Sequence, residues 1–157
     1  MTAQTRSAPV IVPRVIVRVI WVMHRALYSL TGGRVGLRTP SADRWGMMRL
    51  KTVGRRSGKE RMAILGYIED GANLVTPAMN GWAQPEPAWW LNLQAHPEAV
   101  VDLPGGRRIV TARAADGEER SRLWARLVDL GSSAYTDANA ALRSRETAIV
   151  ILEPRSA

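Results

Sequence analysis

The amino-acid sequence predicts an α+β fold in which an antiparallel sheet closes into a small barrel with helices outside. Three observations lead there. Short apolar, strand-like runs follow one another with hairpin signals between them. Helical segments interrupt them irregularly, without the strand–helix–strand alternation that builds a parallel sheet. The chain has 157 residues, within the roughly 100–200 residues usual for one domain. A division is expected between residues 1–40, a tail and basic helix, and residues 41–157, the barrel domain.

Each element has a local reason. After a polar stretch over residues 1–9, Pro13 opens a helix that runs to about Leu30. Proline suits the first helical turn, where its missing N–H is not needed. Ile16, Ile20, Met23, Leu27 and Leu30 recur at helical spacing, while Arg14, Arg18 and Arg25 form another stripe. This is a basic amphipathic helix. Its arginines interrupt the apolar run, so neither a transmembrane span nor a signal peptide is expected. Such a helix either packs on its domain or lies on an anionic membrane surface, and both readings stand. Gly32, Gly33 and Gly36 end it.

Trp45 to Val53, Met62 to Ile68 and Asn73 to Ala78 read as three strands, with Glu69-Asp70-Gly71 as a hairpin signal. Pro87 opens a short helix over Ala88–Ala95, ended by Pro97. Val100 to Leu103 and Arg107 to Ala114 flank Pro104-Gly105-Gly106 and read as a hairpin. Asp116 is placed to cap a helix over Gly117–Leu130 whose apolar face is Leu123, Trp124, Leu127 and Leu130. Asp116, Glu118 and Glu119 suit the positive end of its dipole. Residues 131–145 read as irregular, and Ala148 to Leu152 as a last strand closed by Pro154.

Composition narrows the chemistry. There is no cysteine, which excludes disulfides, thiol catalysis, iron–sulfur clusters and thiolate zinc sites. The only histidines are His24 and His96, so no metal site and no Ser-His-Asp site is expected. No carboxylate pair stands out, and Glu69 and Asp70 read as turn residues. An enzyme built on this chain would take its chemistry from a cofactor.

The net charge is +8, and it is unevenly spread. Residues 1–61 hold 13 basic and 2 acidic side chains, whereas residues 62–157 hold 9 basic and 12 acidic ones. The basic half suits an anionic partner: a phosphorylated cofactor, a membrane surface or nucleic acid. Its charges are split between one helix and one turn without a nucleic-acid motif, so no nucleic acid is expected.

That turn is the strongest local signal: Gly54-Arg55-Arg56-Ser57-Gly58-Lys59-Glu60-Arg61. Glycines allow a tight turn and close approach of backbone amides to an anion. The spacing fits neither G-x-x-x-x-G-K-[ST] nor G-x-G-x-x-G. A solvated hairpin and an anion site are the two readings. The second signal is Pro87-Ala88-Trp89-Trp90-Leu91-Asn92-Leu93. Adjacent helical residues point in different directions, so one reading puts one tryptophan inside and the other over a groove, and the other reading packs both in the core, with Asn92 as a cap or a satisfied polar group.

These segments, with Gly117-Glu118-Glu119-Arg120, Leu123-Trp124 and Ile149-Val150-Ile151-Leu152-Glu153-Pro154, occur in an order and spacing that resemble the deazaflavin-dependent nitroreductase family. The resemblance covers about residues 45–154. It implies a split β-barrel of the FMN-binding type and an oxidoreductase that uses coenzyme F420. It implies that Arg55, Arg56 and Ser57, with Gly58 in the same turn and Arg61 adding charge, meet the coenzyme's phosphate and acidic tail. Met62, Ile64 and Gly66 would line the deazaflavin. Pro77, Ala78, Met79 and Asn80 would approach its ring or ribityl chain, and Ala88, Trp89, Trp90 and Asn92 would form the facing wall. The reduced deazaflavin would pass a hydride to a quinone-like or other conjugated, electron-poor acceptor.

The chain departs from the family pattern in several places. Ile64 and Gly66 stand where members often carry proline and tyrosine, and Met79 stands for a common serine. Ser133, Thr136 and Asn139 occupy positions that are tyrosines in nitroimidazole-reducing members, leaving Tyr135 as the local proton-donor candidate and water as the other. The substrate side therefore differs from that of the drug-reducing members. The N-terminal helix resembles the family's variable extension, which implies a cytoplasmic protein with peripheral membrane contact through residues 13–30, and split barrels often pair as homodimers. The alternative is a non-catalytic barrel holding a lipid or haem-like ligand at a membrane surface, a reading drawn from the apolar Ile64 and Met79 and the basic helix.

Overall fold

The computed structural model describes residues 36–79, 84–131 and 144–155, together with 15, 16, 18–20, 22, 23 and 26. Six strands form the sheet: β1 (Gly46–Val53), β2 (Glu60–Asp70), β3 (Asn73–Pro77), β4 (Glu98–Leu103), β5 (Gly106–Ala114) and β6 (Ile149–Pro154). They close into a barrel in the order β1-β2-β3-β6-β5-β4, with every pair antiparallel. Among the residues described from 36 onward, two helices accompany them, α1 (Ala88–Ala95) and α2 (Gly117–Leu130). The predicted class and order of these elements are borne out.

Strand periodicity sorts the side chains into two layers. In β1, Met48 and Leu50 point into the barrel, and Arg49 and Lys51 point out. Leu65 and Tyr67 of β2, Val101 of β4, Val110 of β5 and Leu152 of β6 complete the inner core. A second core lies outside the barrel, where Ile68, Val75, Ile149 and Ile151 meet Leu123 and Leu127 of α2. The strand β6 is therefore buried on both faces. That is why its sequence, Ile-Val-Ile-Leu, is a continuous apolar run rather than an alternating one.

Several boundaries move. The second strand runs from Glu60 to Asp70, beyond the Met62–Ile68 expected, because its ends pair with Val53 of β1 and Asn73 of β3. The fourth starts at Glu98, which pairs with Thr111. Pro154 lies at the end of β6 opposite Val110 rather than beyond the strand. Asp116 occupies the N-cap of α2, but its side chain makes no capping hydrogen bond. Glu119 turns instead to Arg113, which also bonds Glu153, tying the start of α2 to β5 and β6. The Arg113 hydrogen bonds hold the Glu119 carboxyl below its ordinary range.

Of the two readings for the tryptophans, core packing holds for both, and Trp89 also lines the cavity described below. Trp89 and Trp90 are both buried, at 8% and 6% exposure, and both join the inner core from α1. Their rings meet edge to face with centroids 6.5 Å apart. Among the described residues the Trp90 indole N–H has no partner. Leaving such a donor unsatisfied costs about 1–3 kcal/mol. Burying roughly 200 Å² of indole returns about 5 kcal/mol, so area wins over the orphaned donor.

The described residues between 15 and 26 are helical. Among them Ile16, Ile20 and Met23, with Val15, Val19 and Val22, are about half exposed or more. Leu27 and Leu30 lie outside the described residues.

Candidate functional site

The pairing of Val53 with Glu60 leaves residues 54–59 as the turn between β1 and β2. Two backbone bonds close it, from Gly54 N–H to Lys59 O at 2.8 Å and from Gly58 N–H to Gly54 O at 2.7 Å. Gly58 has φ +65°, a left-handed conformation that L side chains rarely adopt. A Cβ at Gly54 would stand 2.7 Å from Ser57 Oγ and 3.1 Å from the Lys59 carbonyl oxygen, so a larger residue there would make the Ser57 hydroxyl rotate and the turn give by a few tenths of an ångström.

The turn presents charge outward. Arg55 and Arg56 are exposed, and among the described residues neither has a carboxylate partner. Glu60 is drawn toward Lys51, 3.6 Å away. Arg61 Nη2 reaches Ser57 Oγ at 3.4 Å, a long contact within the same cluster.

A cavity of about 760 Å³ opens beside this turn. That size lies in the range of about 300–1,000 Å³ typical of small-molecule sites. Arg55, Arg56, Ser57 and Arg61 line its charged side. Met62 and Ile64 of β2, Met79 after β3, and Ala88 and Trp89 of α1 supply its apolar and aromatic side. Asn92 lines it too, but its amide is engaged within the protein. These ten expected residues are brought together. Gly58, Gly66, Pro77, Ala78 and Trp90 are not among the lining residues. Gly66 packs against Trp45 instead, and Ala78 and Trp90 belong to the inner core. Asn80 and Tyr135 lie outside the described residues.

The lining also holds Ala63, within the expected strand Met62 to Gly66, and residues that sequence reasoning missed, including Arg49, Thr52 and Pro87. Thr52 carried a usable signal: it continues the inward parity of Met48 and Leu50 with a hydroxyl. Arg49 is held from outside the barrel. Its Nε donates to Asp102 Oδ2 at 2.7 Å, and Arg107 Nε donates to the other oxygen at 3.0 Å. Burial alone would raise the Asp102 pKa, but the hydrogen bonds from Arg107 and Arg49 outweigh it and hold the carboxyl below its ordinary range. The group is a fixed anion that keeps the Arg49 guanidinium at the wall. Among the described residues no His, Asp and Glu cluster is arranged to hold a metal ion.

A cationic turn facing an aromatic wall across a cavity suits a ligand with an anionic tail and a flat ring. The family model for F420H(2)-dependent quinone reductases matches residues 21–154. The chain belongs to that family. A curated member, an F420H(2)-dependent quinone reductase of Mycobacterium tuberculosis, is 30% identical over 135 residues, covering 85% of this chain and 89% of the relative. A solved structure named as an F420-H2 dependent reductase superposes with a TM-score of 0.59 at 26% identity, over 75% of this chain and 100% of that one. Another, described as a domain-swapped dimer, gives 0.60 at 25% identity, over 87% and 99%. The expected family and split barrel are borne out by these matches.

Proposed function

We propose that this chain is an F420H2-dependent reductase whose acceptor is a quinone or a similar conjugated, electron-poor compound. The observation that carries the reading is the placement of Arg55 and Arg56, without carboxylate partners among the described residues, across one cavity from Trp89. The residues fit coenzyme F420. Exposed guanidiniums form strong, charge-assisted hydrogen bonds with phosphate and carboxylate groups, and Met62, Ile64, Met79 and Trp89 offer a flat, apolar seat for a deazaflavin. When bound, the reduced deazaflavin supplies a hydride. A quinone that accepts this hydride and one proton becomes a hydroquinone.

The chain's own contribution is position and environment. Arg55, Arg56 and Arg61 anchor the anionic tail, Ser57 adds a hydroxyl, and Trp89 and Ile64 exclude water from the ring. Tyr135 is retained from the sequence as a proposed proton donor, with water as the alternative. The ligand-binding alternative, a lipid or haem-like guest, is not favoured: family membership and the cationic turn support the coenzyme. Saturable quenching of tryptophan fluorescence by oxidised coenzyme F420 tests the site, and no quenching at micromolar coenzyme would sink it.

Residues 1–40 are proposed as an extension and residues 41–157 as the barrel domain, although Arg38 bridges to Met47 and so ties the border to β1. No helix of the described residues is long and apolar enough to cross a membrane. Peripheral contact through residues 13–30, at the inner face of a cell membrane, is supported by the exposed Val15, Val19, Ile20 and Met23 beside Arg18. Co-sedimentation with anionic vesicles, compared with a chain lacking residues 1–30, tests it. Pairing as a homodimer is proposed from the related structure described as a dimer, and sedimentation velocity tests that.

A further inference from the structure

Asn92 is 4% exposed on a short helix whose neighbouring side chains are mostly apolar. Asparagine is rarely fully buried, and its amide is costly there unless bonded. Here both ends are used. Oδ1 accepts the Arg55 backbone N–H at 3.1 Å, and Nδ2 donates to Thr52 Oγ1 at 3.1 Å. Thr52 is itself buried. One amide therefore joins α1, the end of β1 and the first arginine of the cationic turn.

The turn needs such a tie. Its two internal backbone bonds fix its shape but not its angle to the rest of the barrel. Among the described residues, Asn92 is the only group outside residues 54–61 that hydrogen-bonds the backbone of residues 54–59. The helix that carries Asn92 also carries Trp89, one turn earlier on the cavity wall. An anion-binding group misplaced by more than about 0.5 Å loses much of its effect.

We propose that Asn92 is a positioning residue: it latches the anion-binding turn to the aromatic helix, so that tail and ring of one ligand are met at a fixed separation. The proposal rests on the coenzyme reading above. It assigns Asn92 an action through Arg55 rather than direct contact with the ligand.

The test compares Asn92→Leu, Thr52→Val and the double variant with the wild-type chain. Each replacement is close in shape to the original, and removing both polar partners together leaves only Arg55 N–H, at an exposed residue, to be met by water. The double variant is therefore expected to keep the wild-type Tm within a few degrees. Its affinity for oxidised coenzyme F420 should fall about three- to tenfold, the range of one lost hydrogen bond. Affinity for the deazaflavin chromophore without its phosphate tail should fall clearly less than affinity for the whole coenzyme, because both residues line the cavity but only the turn meets the tail. Thr52→Ser, which keeps the hydroxyl, should bind the coenzyme more tightly than Thr52→Val does.

Equal weakening toward coenzyme and tail-less chromophore would overturn the latch and leave Asn92 a packing residue. Unchanged coenzyme affinity in the double variant would also overturn it. Hydrogen exchange at the Arg55 amide needs no ligand and separates the two readings. If the wild-type chain binds no coenzyme, the coenzyme reading falls. Faster exchange at Arg55 in Asn92→Leu would then still support the latch, and unchanged exchange would overturn it.

Discussion

Trp45 lies so close to Gly66 that a Cβ on the glycine would stand 2.6 Å from Trp45 Cε3. The indole cannot easily retreat. Its Nε1 donates to Leu127 O at 3.2 Å, which joins the start of the barrel to α2. The Gly66 carbonyl oxygen also accepts a hydrogen bond from Thr76 Oγ1 at 2.8 Å. The residue expected at the deazaflavin therefore serves the outer core.

Gly66→Ala should destabilise the fold by about 1–3 kcal/mol through overpacking, read as a lower urea midpoint. Coenzyme affinity of the folded fraction should not change. An unaltered midpoint with lost binding would return Gly66 to the site.

Reversing Arg55 and Arg56 to glutamate should weaken coenzyme binding at least about a hundredfold, since each charge-assisted bond contributes about 1.5–3 kcal/mol. Both side chains are exposed at the turn, so Tm should hold. The wild-type affinity should fall as salt is raised, and the variant's salt dependence should be flatter. A salt-independent wild-type affinity would argue against an anionic tail on the turn.

How much of this was legible in the sequence depends on distance along the chain. The strands were readable because alternation in β1 and the apolar run in β6 are local patterns. The cationic turn was readable because Gly54 and Gly58 bracket its arginines. Which tryptophan would also reach the cavity was not legible, because that depends on how α1 sits against β1, β2 and β5. The Arg49–Asp102 pair and the Asn92 latch were not visible, since they join residues 53 and 37 positions apart through sheet closure and helix placement.

Trp90→Phe should change stability by no more than about 1 kcal/mol, because removing the orphaned indole N–H offsets the lost contact area. Trp90→Ala should cost about 3–5 kcal/mol. Equilibrium denaturation of the two variants checks the contrast, and a large loss in Trp90→Phe would mean that the N–H has a partner.

Asp70 accepts two hydrogen bonds from Arg122, at 2.8 and 2.9 Å, and one from Arg126 at 2.8 Å. The Arg122 bonds hold its carboxyl below the ordinary value of 3.8. A folded pKa below the unfolded one gives stability that is present above the unfolded pKa and lost as pH falls through the folded one. Asp70→Asn should therefore lower Tm at pH 7, by the equivalent of about 1 kcal/mol or less for a solvent-screened cluster. The difference should shrink as pH falls below 3.8 and vanish once the folded carboxyl is itself protonated. A Tm gap that persists there would show that the charge of Asp70 is not what clamps the hairpin to α2.

The most direct measurement is anaerobic reoxidation of reduced coenzyme F420 by a soluble quinone, with and without the chain. The account predicts saturable reoxidation that requires the chain, yields one hydroquinone per coenzyme, and disappears on reversal of Arg55 and Arg56. Binding of the coenzyme with no acceleration for any quinone would contradict it, and would leave this barrel a coenzyme carrier rather than a reductase.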